Sequence, residues 1–327
     1  MPRVLITGGA GFIGQLMATR LLSDPKYEVT LTDIVPPSIP TKAAHPENGK
    51  GIKADLCNAD SLSSLIDSCL PLDAIYLFHG IMSSGAEANF ELGMKVNMES
   101  TYSFLEYLRK LQGRTEGAKP IRIIYASSQA VYGQPLPAVI DEKVVPTPEG
   151  SYGAQKLMCE ALINDYTRRG FIDGFSLRFP TISVRPGKPT AAASSFLSGM
   201  IREPLAGVEC VIPLHDRSFR SWLCSPKTLA ENLVHALTLP TTAMPSHVRT
   251  VNMPGIGVTV QEMMDALAKV AGEEKLKFLR EETDSDMERI LRSWGTEFDN
   301  SLALSLGFRP DGGFEEAVRD YIESQKQ

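Results

Sequence analysis

The sequence predicts an α/β fold, a doubly wound parallel sheet joined to a smaller, discontinuous C-terminal domain. Three observations predict it. Strand-like apolar runs alternate with helix-periodic segments through the first half of the chain. The run Val4-Leu5-Ile6 empties directly into Thr7-Gly8-Gly9-Ala10-Gly11-Phe12-Ile13-Gly14. A second apolar run, residues 29–32, ends on the acidic Asp33.

A strand that gives way to spaced glycines and then a helix is the cradle of a Rossmann-type dinucleotide site. Gly8 permits a sharp turn at positive φ, Gly11 lets the backbone approach a pyrophosphate, and Gly14 lets helix and strand pack closely. Ile13, Leu16, Met17 and Leu21 continue at helical spacing, so the pyrophosphate would sit on the N–H groups and positive dipole of that helix. Asp33 is placed to hydrogen-bond the adenosine ribose. A carboxylate there repels a 2′-phosphate, which selects NAD over NADP.

The remaining elements follow in order. Residues 36–46 form a Pro-rich loop, and residues 51–56 a third strand whose Asp55 and Leu56 are placed to frame the adenine. A turn or helix-start carboxylate is the other reading of Asp55. Residues 61–69 read as a helix and residues 74–80 as a fourth strand. His79, near its end, reads as a packed or cofactor-adjacent residue rather than a base. Residues 81–85 form a loop at the carboxyl edge of the sheet, where Ser83 and Ser84 could meet substrate hydroxyls.

Residues 87–112 read as one long helix with Phe90, Met94, Met98, Thr101, Tyr102, Leu105 and Leu108 on its apolar face. Asn97 lies within that face and needs partners. Residues 121–125 form a fifth strand ending in Ala126-Ser127-Ser128. A Pro-rich loop over 135–150 precedes a helix that opens at Ser151 and runs to about Arg169.

The bulk properties exclude several function classes. With 43% hydrophobic and 22% charged residues the chain can form a sizeable core, and a net charge of −6 without a basic block argues against a nucleic-acid partner. No apolar run reaches the roughly 18 residues needed to cross a bilayer. The chain enters its first strand at once, so no signal peptide is expected. Cys57, Cys69, Cys159, Cys210 and Cys224 are odd in number and scattered, which predicts neither a disulfide framework nor a metal site and fits a cytoplasmic protein.

Tyr152 and Lys156 stand four apart on a predicted helix, one turn apart on one face. A phenol is a poor base at neutral pH. A neighbouring ammonium and the positive ring of oxidised nicotinamide would favour its phenolate. Tyr152 could then take the proton of a substrate hydroxyl as hydride leaves the same carbon, while the Ser128 hydroxyl holds that oxygen. Lys156 could also hold the nicotinamide ribose. Taken alone, such a pair is better explained as a surface i,i+4 pair. The glycine cradle, Asp33 and the strand-end serines change that balance.

The glycine run, Asp33, Ser127-Ser128-Gln129-Ala130-Val131-Tyr132-Gly133 and Tyr152 to Lys156 together resemble the extended short-chain dehydrogenase/reductase superfamily, of the epimerase/dehydratase type. The resemblance spans most of the chain. It implies Ser128, Tyr152 and Lys156 as the catalytic residues. It also implies cofactor contacts from Gly8, Gly11, Phe12, Ile13, Asp33, Asp55, Leu56, Tyr152, Lys156 and Pro180, and no metal.

The second half narrows the resemblance. Nucleotide-sugar members usually carry an Asn where this chain has Thr181, within Arg178-Phe179-Pro180-Thr181. The runs Ala191-Ala192-Ala193-Ser194-Ser195-Phe196 and Ser83-Ser84-Gly85-Ala86-Glu87 resemble instead a branch that oxidises the C2 hydroxyl of a small sugar acid such as D-erythronate with NAD. A carboxylate substrate needs a guanidinium. Arg185, Arg217 and Arg220 are candidates, the resemblance favouring Arg220. Ser83, Ser128, Tyr152 and Thr181 complete the expected substrate contacts.

The expected division is a dinucleotide-binding domain over 1–178, with a return segment near 221–253, and a substrate domain from 179–220 and 254–327. Two alternatives stay open: a nucleotide-sugar epimerase or dehydratase that retains its NAD, and a non-catalytic NAD-sensing protein. The resemblance also implies a homodimer, built by pairing helices 87–112 and 151–169 across a twofold.

Overall fold

The structure, a computed structural model, describes residues 1–113, 119–188 and 194–326. Residues 191–193 of the Ala-rich run quoted above lie outside the described residues. Among the described residues the strands are β1 (Arg3–Thr7), β2 (Glu28–Asp33), β3 (Gly49–Lys53), β4 (Ala74–Leu77), β5 (Arg122–Ser128), β6 (Asp173–Phe179), β7 (Thr181–Ile182), β8 (Cys210–Ile212), β9 (Arg220–Cys224), β10 (Thr250–Asn252), β11 (Ile256–Thr259) and β12 (Leu279–Glu281). The helices that matter for the site are α1 (Phe12–Leu21), α2 (Ala59–Cys69), α3 (Ser83–Ala88), α4 (Phe90–Gly93), α5 (Ser100–Gln112), α6 (Ser151–Arg168), α7 (Ser195–Leu205), α8 (Pro226–Thr238) and α9 (Val260–Ala271).

A seven-stranded sheet in the order β10-β6-β5-β4-β1-β2-β3 carries the fold. The pairs β1–β2, β1–β4, β2–β3 and β4–β5 run parallel. This is the doubly wound Rossmann sheet that the alternating pattern predicts. Its strands read as near-continuous apolar runs because both faces are covered. Leu5, Ile75, Leu77, Ile123 and Tyr125 from the strands pack with Leu62, Leu65 and Ile66 of α2, Phe104 and Leu105 of α5, and Cys159 and Ile163 of α6. The Asn58 side chain caps α2 by accepting from the Ser61 N–H.

The chain separates into two compact units. The first comprises Met1–Ser128, Gly150–Arg178 and Asn232–Val251; the second comprises Gln129–Glu149, Phe179–Glu231 and Asn252–Gln327. This division departs from the expected boundaries in two places. Residues 129–149 join the second unit because Ile140 exchanges backbone hydrogen bonds with Glu297 and Asp299, and the Tyr132 hydroxyl donates to Asn252. The return segment starts at Asn232 rather than near 221, because β9 pairs with β11 and β7 in the second unit's own sheet. That unit has a separate core, in which Leu197, Met200 and Ile201 of α7 pack with Met263 and Leu267 of α9 and with Val318. A capping box between Thr259 and Glu262 starts α9.

Two local expectations fail in the first unit. Residues 81–85 are not simply a loop, since α3 begins at Ser83 and buries Ala86. The expected single helix over 87–112 is interrupted: Asn89 caps α4, and residues Met94–Glu99 wind as a π-helix before α5. A π turn shifts the register of side chains, so the regular 3.6-residue spacing misassigns faces. Phe90 and Tyr102, expected inside, are 61% and 45% exposed. Asn97 is buried in the π turn. Its Oδ1 accepts from the Ile81 N–H at 2.8 Å, and its Nδ2 donates to Gln155 Oε1 at 2.7 Å and to the Ile81 carbonyl at 3.2 Å. Asn97 therefore fixes the chain as it leaves β4.

Candidate active site

The glycine cradle is built as its sequence requires. Gly8 has φ +67°, a conformation that L side chains rarely adopt, and a Cβ there would lie 2.8 Å from the Phe78 carbonyl oxygen. A Cβ on Gly14 would lie 2.3 Å from the Gly8 carbonyl oxygen. The helix can fold back on the strand only because both positions lack a side chain. Gly11 is the N-cap of α1, no side chain caps that helix, and its first turn, which includes Phe12 and Ile13, holds no acidic residue. The helix start thus presents N–H groups and a positive dipole end to an anion.

Asp33, at the end of β2, is tied to this cradle. Its Oδ2 accepts from the Ala10 N–H at 3.0 Å and its Oδ1 from the Ile34 N–H at 2.7 Å. The donors, the side-chain-free turn and the fixed carboxylate fit a dinucleotide with unphosphorylated ribose. Asp55 is exposed, and its Oδ1 accepts from the Cys57 N–H at 2.9 Å, the geometry of a turn carboxylate. Leu56 beside it is buried.

Ser128 is the last residue of β5, and α6 carries Tyr152 and Lys156 one turn apart. The Tyr152 and Ser128 side chains are hydrogen-bonded. Lys156 is only 4% exposed; its Nζ donates to the Ala126 carbonyl at 2.8 Å and lies 5.5 Å from the centroid of the Tyr152 ring. Burial pushes the Tyr152 phenol up to about 12, with the Ser128 hydrogen bond pulling the other way. Burial lowers the Lys156 ammonium to about 8, opposed by Cys159 and Glu160. The sequence-based expectation joined Lys156 to the charge of oxidised nicotinamide; Lys156 by itself does not offset the burial of the phenol. The ammonium is turned to a backbone carbonyl, and loss of hydration dominates the phenol.

His79 is structural, in line with its sequence reading. Nδ1 lies 2.8 Å from Thr7 Oγ1 and Nε2 2.9 Å from Ser100 Oγ. Burial, then the charge of Lys156, lowers its pKa to about 3, so it is neutral at physiological pH. Sequence reasoning missed two neighbours of the trio, Glu160 and Arg178. Glu160 follows Lys156 by one turn, and both residues are buried. A charge at a position that helical spacing places inside was the signal available.

The other expected contacts are distributed as follows. Ser83 opens α3. Pro180 is buried between β6 and β7, and Thr181 Oγ1 accepts from Gln129 Nε2 at 3.2 Å. Of the three arginines in the second unit, Arg217 forms a two-pronged pair with Glu281 at 2.6 and 3.2 Å, and Arg220 pairs with Glu297 at 3.1 Å. Arg185 has no recorded carboxylate partner among the described residues. Its Nη2 donates to Ser194 Oγ at 3.3 Å. Burial, and then the nearby Arg202 charge, lowers its pKa.

The sheet and the cradle define a dinucleotide-binding protein of the Rossmann class. Residues 4–248 match the NAD dependent epimerase/dehydratase family. The chain is 40% identical over 324 residues to D-erythronate dehydrogenase from Haemophilus influenzae, covering 98% of this chain and 99% of that one. It is 39% identical to D-erythronate dehydrogenase from Cupriavidus necator, covering 98% of each. The structure of a nucleoside-diphosphate-sugar epimerase from Agrobacterium tumefaciens superposes with a TM-score of 0.91 at 36% identity, over 98% of this chain and 94% of that one. The chain belongs to the NAD dependent epimerase/dehydratase family, the extended short-chain dehydrogenase/reductases, and is an NAD-dependent dehydrogenase.

Proposed function

We propose that the protein oxidises the C2 hydroxyl of a small sugar acid of the D-erythronate class, giving the 2-oxo acid. The observation that carries the chemistry is the Ser128–Tyr152 hydrogen bond beside the buried ammonium of Lys156. When bound, NAD supplies the hydride acceptor and a positive charge that favours the phenolate. Ser128 holds the substrate oxygen, Tyr152 takes its proton, and Lys156 keeps a positive charge beside the phenol. The cradle from Gly8 to Ile13 and Asp33 would hold the dinucleotide, with Asp55, Leu56 and Pro180 as further contacts.

The substrate class rests on the two named relatives and on the chemistry of Arg185, a desolvated guanidinium with no recorded carboxylate partner among the described residues. Ser83 and Thr181 are proposed contacts for substrate hydroxyls. Arg217 and Arg220, each already paired with a glutamate, are the weaker carboxylate candidates. The first unit is accordingly assigned to the dinucleotide and the second to the substrate.

The test is a panel of four- to six-carbon sugar acids and hydroxyketones with NAD, followed by NADH absorbance, with Tyr152→Phe in parallel. We expect turnover with a four-carbon 2-hydroxy acid and its loss in Tyr152→Phe with NAD binding kept. Wild-type turnover in Tyr152→Phe would sink the assignment. The Agrobacterium relative keeps nucleotide-sugar epimerisation as a second reading, which predicts product without net NADH.

We also propose a homodimer. Phe90, Leu92, Tyr102 and Met158 leave apolar side chains exposed on α4, α5 and α6. A sedimentation coefficient of a monomer at micromolar concentration would refute it. The five free cysteines suit a reducing cytoplasm, which cell fractionation would test.

A further inference from the structure

The first unit buries a charged cluster that the proposed chemistry does not use. Glu160 lies on α6, one turn beyond Lys156, and is 2% exposed. Its Oε1 accepts from the Ser127 hydroxyl at 2.5 Å and from Arg178 Nε at 2.9 Å, and its Oε2 accepts from Arg178 Nη2 at 2.6 Å. Ser127 precedes Ser128 at the end of β5. Arg178 stands on β6, the neighbouring strand. One carboxylate therefore joins the helix that carries Tyr152 and Lys156 to the strand end that carries Ser128.

Stability is a weak reason for such a cluster. Burying a carboxylate and a guanidinium costs solvation, and well-packed apolar groups of the same volume often serve a fold as well. What apolar packing does not supply is direction. The side chains of Ser127 and Ser128 point to opposite faces of the strand, so anchoring the first fixes the orientation of the second.

We infer that Glu160 is a positioning residue for the reaction: clamped by Ser127 and Arg178, it sets the strand end that presents Ser128 and places a negative charge one turn from Lys156. This rests on the reading of Ser128, Tyr152 and Lys156 as the reacting groups.

The surroundings of Lys156 make the charge matter. Tyr125 of β5 lies under its Nζ, 4.7 Å from the ring centroid, beside the Ala126 carbonyl. His79, which follows β4, is neutral. On α6 itself stand Tyr152, Cys159 and Glu160. Burial raises the pKa of the Cys159 thiol, which keeps it protonated. Glu160, paired with Arg178, supplies the carboxylate among these groups, and after Cys159 it works against the burial that lowers the Lys156 ammonium to about 8. Without Glu160 the ammonium loses its proton at still lower pH.

The experiment compares wild type, Glu160→Gln, Ser127→Ala and Tyr152→Phe as full-length protein. It measures kcat and KM across pH, the Kd for NAD, and Tm. In Glu160→Gln the alkaline fall of kcat/KM is expected to move down by about half a pH unit or more, with kcat lowered roughly tenfold and NAD affinity nearly unchanged. A lower Tm with wild-type kcat and an unmoved pH profile would mean that Glu160 is only structural, and would overturn the inference.

If Glu160→Gln does not fold, Ser127→Ala decides. Loss of one anchoring hydroxyl should lower kcat roughly three- to tenfold at constant KM for NAD, and wild-type kcat overturns the inference. An active Tyr152→Phe would instead sink the catalytic reading beneath it. An inactive Tyr152→Phe with an unmoved Glu160→Gln profile sinks the positioning role alone.

Discussion

Replacing Arg185 with Met should abolish recognition of the substrate carboxylate while leaving the fold as stable as before, or more so. Arg185 is half-buried; its backbone N–H donates to Ser198 Oγ at 3.0 Å, and its carbonyl accepts from Arg202 Nη1 at 3.0 Å. The Arg202 guanidinium is itself matched by Glu203, at 2.6 and 3.0 Å. Arg185 thus carries a desolvated charge next to a second cation.

Two charge-assisted hydrogen bonds to a carboxylate are worth about 1.5–3 kcal/mol each. Allowing for imperfect geometry, their loss corresponds to a fall of roughly 10²–10³ in kcat/KM for the acid. Removing an uncompensated, partly buried cation costs the fold little, and Met fills most of the volume of the Arg stem.

The assay is steady-state turnover of the sugar acid and of its neutral amide or polyol counterpart, with Tm measured alongside. Only the acid should lose efficiency. Arg217→Met and Arg220→Met break exposed pairs worth about 0–1 kcal/mol and should change neither Tm nor selectivity much. An Arg185→Met enzyme with wild-type efficiency on the acid, or a larger loss in Arg220→Met, would refute the reasoning.

Two further outcomes are expected. Gly14→Ala places a methyl group 2.3 Å from the Gly8 carbonyl oxygen and 2.8 Å from Gly9 Cα, both of them backbone atoms. The turn must move, and calorimetry should find NAD binding weakened at least about tenfold; an unchanged Kd would refute this. His79 is held neutral, with a folded-state pKa of about 3 against an ordinary value of 6.5. Its contribution to stability is therefore present above pH 6.5 and is lost as pH falls from 6.5 toward 3. The slope is at most about 1.4 kcal/mol per pH unit, so roughly 2 kcal/mol is lost by pH 5. Denaturant melts at pH 7 and 5 should find that loss reduced in His79→Gln; an equal loss in the variant would exclude His79 as its source.

The sequence by itself determined the parallel Rossmann sheet, the glycine cradle, Asp33 and the Tyr152–Lys156 spacing. Each is written in local order, as an apolar run, a glycine interval or a one-turn offset, and local order needs no knowledge of distant contacts. Tertiary structure decided the rest. The helix is broken by a π turn at 94–99 and leaves Phe90 and Tyr102 exposed, which no regular period encodes, while Asn97 is buried as its place in the apolar segment suggests. Residues 129–149 join the second unit through Ile140 and Tyr132, whose partners lie more than a hundred residues away in sequence. The three arginines look alike in sequence. They differ in burial and in whether folding brings a glutamate to each: Arg217 and Arg220 are exposed and paired, and Arg185 is half-buried with no carboxylate recorded against it among the described residues. The pairing of Ser127, Glu160 and Arg178 was hidden for the same reason, because a buried charge declares its role only when the fold delivers its counter-charge.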